Sequence, residues 1–383
     1  MPTLRPLTHP PRHHFFGYYG IDSWDSSCRC HLALETGFHE HPPRPDDVAA
    51  VGLIHGDDLT FEPIAQTSAF NLQQGSMMHW IETVHGEEFT LNDWEDGELV
   101  SRAISADTRA SRTISSAIAA VSPTRPQAIG LNFKRMAQCR SVVGYASGNV
   151  DELIEHPKDD GLFLIDLETG GSSLLVSIED VTRRMDAPAG AAWFNHVLFN
   201  TDGSRILFFC RVKTQPRYMS SLWTVNPDGT GLRCEIELGK KVSHFAWFDE
   251  RRILISTDVL GQMEFVEFTD GEGDFQPVGR GKLPEDGHAC FSPDHQWLVC
   301  DTYPLGPESL CELMLYNLAR NEKITLGHFH SPEPFRGDIR CDLHPRWRRD
   351  GLAVSFDSVH EGTRQIYEFN VSDVVADSGL SSE

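Results

Sequence analysis

A histidine three residues ahead of an aromatic recurs four times in the second half of the chain, each time followed by a polar turn and an apolar run. The stretches are His196-Val-Leu-Phe199, His244-Phe-Ala-Trp247, His288-Ala-Cys-Phe291 and His344-Pro-Arg-Trp347. Asp202, Asp294 and Asp350 stand at one common offset behind three of these histidines, and Glu250 holds that offset in the other. Such a repeat constrains the fold more than local propensity does, because equivalent positions of successive units face the same place. The aromatic slot can be followed back to Trp24, Trp80 and Val121, which puts the first positions at Ile21, Met77, Ile118, His196, His244, His288 and His344. Seven units of roughly 40 to 55 residues have the period of propeller blades. The expected fold is all-β: a seven-bladed β-propeller of four-stranded antiparallel blades, one domain over residues 1–383.

Second hairpins with period-2 patterning lie between the inner strands, as in Leu162–Gly170, Leu222–Gly229 and Glu312–Asn317, with Asp-Gly and Thr-Gly marking tight turns. Helical periodicity is confined to about Ser177 to Met185. The step from Ile118 to His196 is too long for one blade, so an insertion is expected at about 134–157, as a loop over one face. An unsealed ring would expose a sheet edge, so an N-terminal strand, from residues 2–10 or 14–20, is expected to pair with the last blade.

Charge narrows the partners. Lys and Arg total 33 against 56 Asp and Glu, a net charge of −23. That balance repels nucleic acid and anionic membranes, and an anionic substrate would need local cations. No window has membrane-spanning length, the N-terminus lacks an apolar signal core, and the nine cysteines are odd in number with no CxxC pair. Free thiols in a reducing cytoplasm are the expectation, with the oligomeric state left open. Walker A, dinucleotide GxGxxG and GxSxG patterns do not occur.

If the four imidazoles converge on a channel, they make a metal site or a proton-transfer site; singly, each is more often a structural histidine. Two or three histidines with a carboxylate hold a divalent ion and leave positions for substrate oxygens. The candidate ligands are His196, His288, His344 and Asp342, the last sharing a face with His344 by strand alternation while Cys341 points away. Cys290 reads as a buried blade residue. Manganese or zinc is expected, with calcium the remaining option. Arg211, Lys213, Arg217 and Tyr218 follow the His196 strand, and an arginine there suits a carboxylate. Gln74, His79 and Asn92 form an unusually polar strand entry, and Tyr145 lies on the insertion.

With these residues in view, the chain resembles the seven-bladed propeller polysaccharide lyases, the oligogalacturonate lyases and the ulvan lyase-type propellers. The resemblance is carried by His14-Phe-Phe-Gly-Tyr-Tyr-Gly20 with Trp24-Asp25, Gly287-His288, Asp301-Thr-Tyr303 and Leu343-His344-Pro345. Similarity to the oligogalacturonate lyases implies manganese on His288 and His344, His244 as base and Arg217 on the uronate carboxylate. Where that family has glutamine and a further histidine, this chain has Ile339 and Asp342, which leaves metal and substrate open. Similarity to the ulvan lyase type implies instead that His79 and Tyr145 react while the four histidines brace the fold. The expected activity is metal-assisted β-elimination on a uronic-acid-containing oligosaccharide, with proton return from water, Tyr218 or Tyr145. The alternatives are a glycoside hydrolase, which needs an acid pair that does not stand out, and a non-catalytic sugar- or protein-binding propeller.

Overall fold

The structure is a computed structural model that describes residues 2–214 and 217–376. Seven four-stranded antiparallel sheets close into a ring. Blade 1 runs through His13–Phe15, Cys30–Thr36, Ala49–His55 and Phe61–Thr67, and blade 2 through His79–Thr83, Gly86–Glu95, Glu98–Ser105 and Ser111–Ile114. Blade 3 uses Ile118–Val121, Gln127–Gly130, Gly161–Asp166 and Ser172–Ser177; blade 4 uses Ala192–Phe199, Ile206–Lys213, Tyr218–Val225 and Arg233–Ile236. Blades 5 and 6 begin at Val242–Trp247 and Ala289–Phe291. In blade 7 the strand Thr3–Pro6 pairs with Gln365–Asn370 outside Ala353–Ser358 and Arg346–Trp347. Residues 2–10, not 14–20, therefore close the ring.

The cores lie between blades, where inward strands alternate apolar residues against their neighbours. The aromatic of the repeat ties blades together: the Trp80 indole N–H donates to the Ser23 carbonyl of blade 1, and that of Trp347 to the Cys290 carbonyl of blade 6. The acids behind the aromatics are turn formers. Asp202 accepts from the Ser204 N–H and Asp350 from the Leu352 N–H. In blade 5 that work falls to Asp249, which accepts from the N–H groups of Arg251 and Arg252, and not to Glu250.

Blade 1 departs from the expected pattern. Its inner strand is split: His13–Phe15 pairs with Leu34–Thr36, the chain then leaves the ladder, and Trp24 rejoins it opposite His31. Ile21 is thus not a strand start. It belongs to an excursion, Phe16–Asp22, that carries Tyr18 and Tyr19 among the histidines of blades 4 to 7. The Asp357 carboxylate accepts from the N–H groups of Phe16 and Gly17 and pairs with Arg346, fixing the departure point.

The long step to His196 holds the helix Phe133–Cys139 and a short turn of helix at Ser141–Val143, both inside blade 3. The turn reaches across to blade 7, where Ser141 hydroxyl donates to Asp338. Arg135 anchors the insertion by donating to the carbonyls of Ala192 and Ile154. A second helix, Ile178–Arg184, capped by Ser177, matches the periodic segment.

Candidate metal centre and surrounding site

His196 and His344 sit in the left-handed backbone region, at φ 47° and 44°, and Met77 holds the same slot of blade 2 at 48°. Non-glycine residues adopt this conformation at a cost of about 1–3 kcal/mol, so a recurrent kink at one repeat position marks a backbone bent to aim its side chain. The four imidazoles do converge. Tyr19 lies in their midst, its ring centroid 5.3 Å from His196, 5.6 Å from His244, 5.1 Å from His288 and 6.2 Å from His344.

They are not equivalent. His288, Asp342 and His344 are buried, and one ligand atom from each lies within 4.8 Å of the other two. The His288 Nδ1–H donates to both oxygens of Asp301, at 2.9 and 3.0 Å, which leaves Nε2 as the free donor atom. Asp301 also accepts from the backbone N–H of His344, tying the two histidines to one carboxylate. Burial lowers the His288 pKa, but Asp301 and then Asp342 and Asp286 outweigh it and the net shift is upward. The pocket thus attracts positive charge. Two imidazoles and a carboxylate, with a carboxylate behind one imidazole, fit a manganese- or zinc-type ion, whereas calcium prefers an all-oxygen shell. Arg340 donates to both oxygens of Asp342 from the open side.

His196 stands outside this trio. Its ring stacks on Phe245 with centroids 4.0 Å apart, its Nδ1 lies 3.4 Å from the Tyr19 hydroxyl, and its Nε2 is buried without a protein partner. His244 adjoins the trio, 4.1 Å from the His288 ring. Its Nδ1–H donates to Asp286 at 3.0 Å, so its Nε2 carries the lone pair. Burial and then His288 lower its pKa against the pull of Asp286. Burial works against the Asp286 carboxylate too, yet His244 and Ser243 hold it down at about 2. His244, Asp286, Tyr303 and Arg340 are only half-buried, so the pocket opens to solvent on their side.

Arg211 is 6% exposed, and its Nε and Nη1 have no partner. The rings of Phe209 and Tyr218 flank its guanidinium at 5.0 Å each. It reaches the Tyr18 phenol electrostatically, although burial dominates there and pushes Tyr18 up to about 12; Gln74 hydrogen-bonds that phenol. Arg140, from the insertion, lies over the other expected residue, Tyr218. Arg217, which directly precedes Tyr218, is exposed on the turn between two blade 4 strands.

The other two expected residues do not join this group. Tyr145 is fully buried, stacked on Phe133, with its hydroxyl accepting from Asn92. His79 lines a cavity of about 900 Å³ with Trp80, Phe199, Trp247 and Trp347. Its pKa is lowered to about 4 by burial. Sequence reasoning gave no role to Tyr18 and Tyr19, visible in the His14–Gly20 run, or to Asp286 and Arg340; all four lie in loops between strands and carry no repeat signature. Tyr303 was visible in Asp301-Thr-Tyr303 without a role. It stands 5.6 Å from the His288 ring and 6.1 Å from that of His244.

No family model matches the chain, and no curated protein matches it in sequence. Solved structures do match. An oligogalacturonate lyase from Vibrio parahaemolyticus superposes with a TM-score of 0.67 at 14% identity, over 96% of this chain and 93% of that one. A puromycin-hydrolysing peptidase from Mycobacterium tuberculosis gives 0.53 at 12% identity over 89% of this chain, but only 50% of its own. An oligogalacturonate lyase solved in complex with manganese gives 0.67 at 13% identity, over 97% and 94% of the two chains. Over nearly its whole length, the chain is similar in fold to the oligogalacturonate lyases.

Proposed function

We propose that this propeller is a lyase that cleaves a uronic-acid-containing oligosaccharide by β-elimination. One observation carries the reading: His244 presents an unprotonated Nε2 beside the His288, His344 and Asp342 trio, with the unpaired guanidinium of Arg211 in the same region. The proton at C5 of a uronate is weakly acidic, so the carboxylate beside it must be neutralised before a base can remove it. A divalent ion on His288, His344 and Asp342 would supply part of that neutralisation, as Lewis acid to the carboxylate.

The chain's own groups supply the rest. Arg211 takes the carboxylate, since a buried arginine with free N–H edges binds such a partner in a fixed plane. It is better suited than the exposed Arg217. His244, oriented by Asp286, accepts the C5 proton; the C4–O bond breaks as the C4–C5 double bond forms. Tyr303 returns a proton to the departing oxygen. Burial, with Asp342 and Asp286 nearby, raises its pKa far above that of a free phenol, so it remains protonated until that oxygen develops charge.

The likeness to oligogalacturonate lyases makes oligogalacturonate the first substrate to assay, in the presence of Mn2+. The expected result is ultraviolet absorbance from a 4,5-unsaturated uronate, abolished in His244→Ala. Reducing ends released without that absorbance would replace this reading by hydrolysis. Metal-loaded protein inert towards a panel of uronates would leave a binding propeller.

A further inference from the structure

The chain carries a second nucleophile–base constellation, far from the histidine cluster in the register of blade 1. Cys30 and His55 are cross-strand partners on neighbouring strands. The Cys30 Sγ lies 3.7 Å from His55 Nδ1, and His55 Nε2 lies 3.0 Å from Glu62. A carboxylate accepts only, so Nε2 carries the proton and Nδ1 presents its lone pair to the thiol. Arg109, from the next blade, holds the same Glu62 oxygen at 3.0 Å and fixes the orienting acid. Thiol, imidazole and carboxylate stand in the order in which a nucleophile, its base and the base's orienter are arranged.

The other thiols supply the contrast. Cys139, Cys210, Cys290, Cys300, Cys311 and Cys341 are buried, whereas Cys28, Cys30 and Cys234 are partly exposed. Burial, and then its neighbours Glu237 and Glu235, push the Cys234 thiol up to about 12. Among the described residues, Cys30 alone of the three has an imidazole at hydrogen-bond distance.

We infer that Cys30, with His55 as general base and Glu62 as its orienter, is a covalent modification site for low-molecular-weight disulfides. Sγ attacks one sulfur of the disulfide, a mixed disulfide forms as the original S–S bond breaks, and one thiolate leaves. The Cys30 proton passes to His55 Nδ1, and the disulfide reagent is the oxidant, so the exchange is balanced. The charged groups facing the pair are Asp25, Arg29, Glu62 and Arg109; burial and then Asp25 raise the thiol, which makes removal of its proton by His55 the controlling step.

The test is the rate at which native protein reacts with oxidised glutathione, read thiol by thiol by mass spectrometry. Cys30 is expected to react at least about tenfold faster than Cys28 and Cys234, a floor below the roughly 100-fold at which general-base assistance usually begins. His55→Ala should slow Cys30 by a similar factor, leaving Cys28 and Cys234 unchanged as reporters of an intact fold. Glu62→Gln should give an intermediate rate. Equal rates at the three thiols, or a Cys30 rate indifferent to His55→Ala in folded protein, would overturn the assignment.

Discussion

At the scale of single residues, the site is governed by which polar atoms already have partners. Asp301 satisfies His288 Nδ1 and two backbone N–H groups, so it orients the imidazole without offering itself to a metal. Outer partners of this kind set metal affinity: Asp301→Asn is expected to weaken Mn2+ binding by about 10- to 100-fold with the fold retained, measured by titration calorimetry. Unchanged affinity would mean the ion is held elsewhere. Arg211 is the reverse case, a buried cation with unpaired edges. Arg211→Lys keeps the charge and loses the planar fork, so KM should rise by about tenfold or more while kcat changes less, in steady-state assays on the uronate. A variant with wild-type KM would assign the carboxylate to Arg140 or Arg217. The sequence gives Asp301 no role, and it offers both Arg211 and Arg217 as cations for a carboxylate. What separates them is that residue 211 is still inside a blade 4 strand between two rings, whereas residue 217 is on the turn beyond it.

At the scale of elements, the repeat told most of the story because it has a physical cause. The aromatic slot recurs since indole N–H groups bridge adjacent blades, and the turn acids recur since they cap the hairpin backbone. Strand alternation put Asp342 beside His344, and the two are close, although the segment before Arg346 is no strand and His344 has a left-handed backbone. The excursion of blade 1 was hidden for the opposite reason. Phe16 to Asp22 reads as an apolar run entering a strand, and only the contacts with four other blades reveal that it leaves the sheet. Gly17 is the hinge of that departure. It has φ 115°, and an added Cβ would lie 2.3 Å from the Gly75 nitrogen and 2.4 Å from the Gln74 carbonyl carbon. Backbone on both sides offers no room to relax. Gly17→Ala is therefore expected to displace Tyr18 and Tyr19, lowering stability by about 2 kcal/mol or more. Loss of Mn2+ affinity should accompany it, because Tyr19 packs against both His288 and His344. Thermal unfolding with and without Mn2+ would check both, and a variant with native melting in each condition would make the excursion incidental.

For the whole molecule, closing seven sheets around an axis takes histidines out of water wherever the repeat or its inserts point them inward. His31 and His79 are buried, and at neither does a carboxylate offset the loss of hydration. Burial lowers both, His79 to about 4 and His31 well below its ordinary value. A folded pKa below the unfolded value of about 6.5 means that the unfolded chain binds a proton which the folded chain refuses. The stability these sites contribute is complete above about pH 6.5 and is lost as the pH falls towards the folded pKa, at up to about 1.4 kcal/mol per pH unit for each group. For His79 the loss saturates near its folded value, at roughly 3 kcal/mol. The net charge of −23 acts in the other direction, since acidification removes self-repulsion. The two effects separate in a comparison of wild type with His79→Gln, which keeps an N–H donor for the Ala119 carbonyl and cannot titrate. Urea unfolding between about pH 7.5 and 4.5 should show the variant losing less stability than wild type, with the curves diverging only below about pH 6.5. Parallel curves would mean that His79 takes up its proton in the folded ring, which places water or an anion against its Nε2.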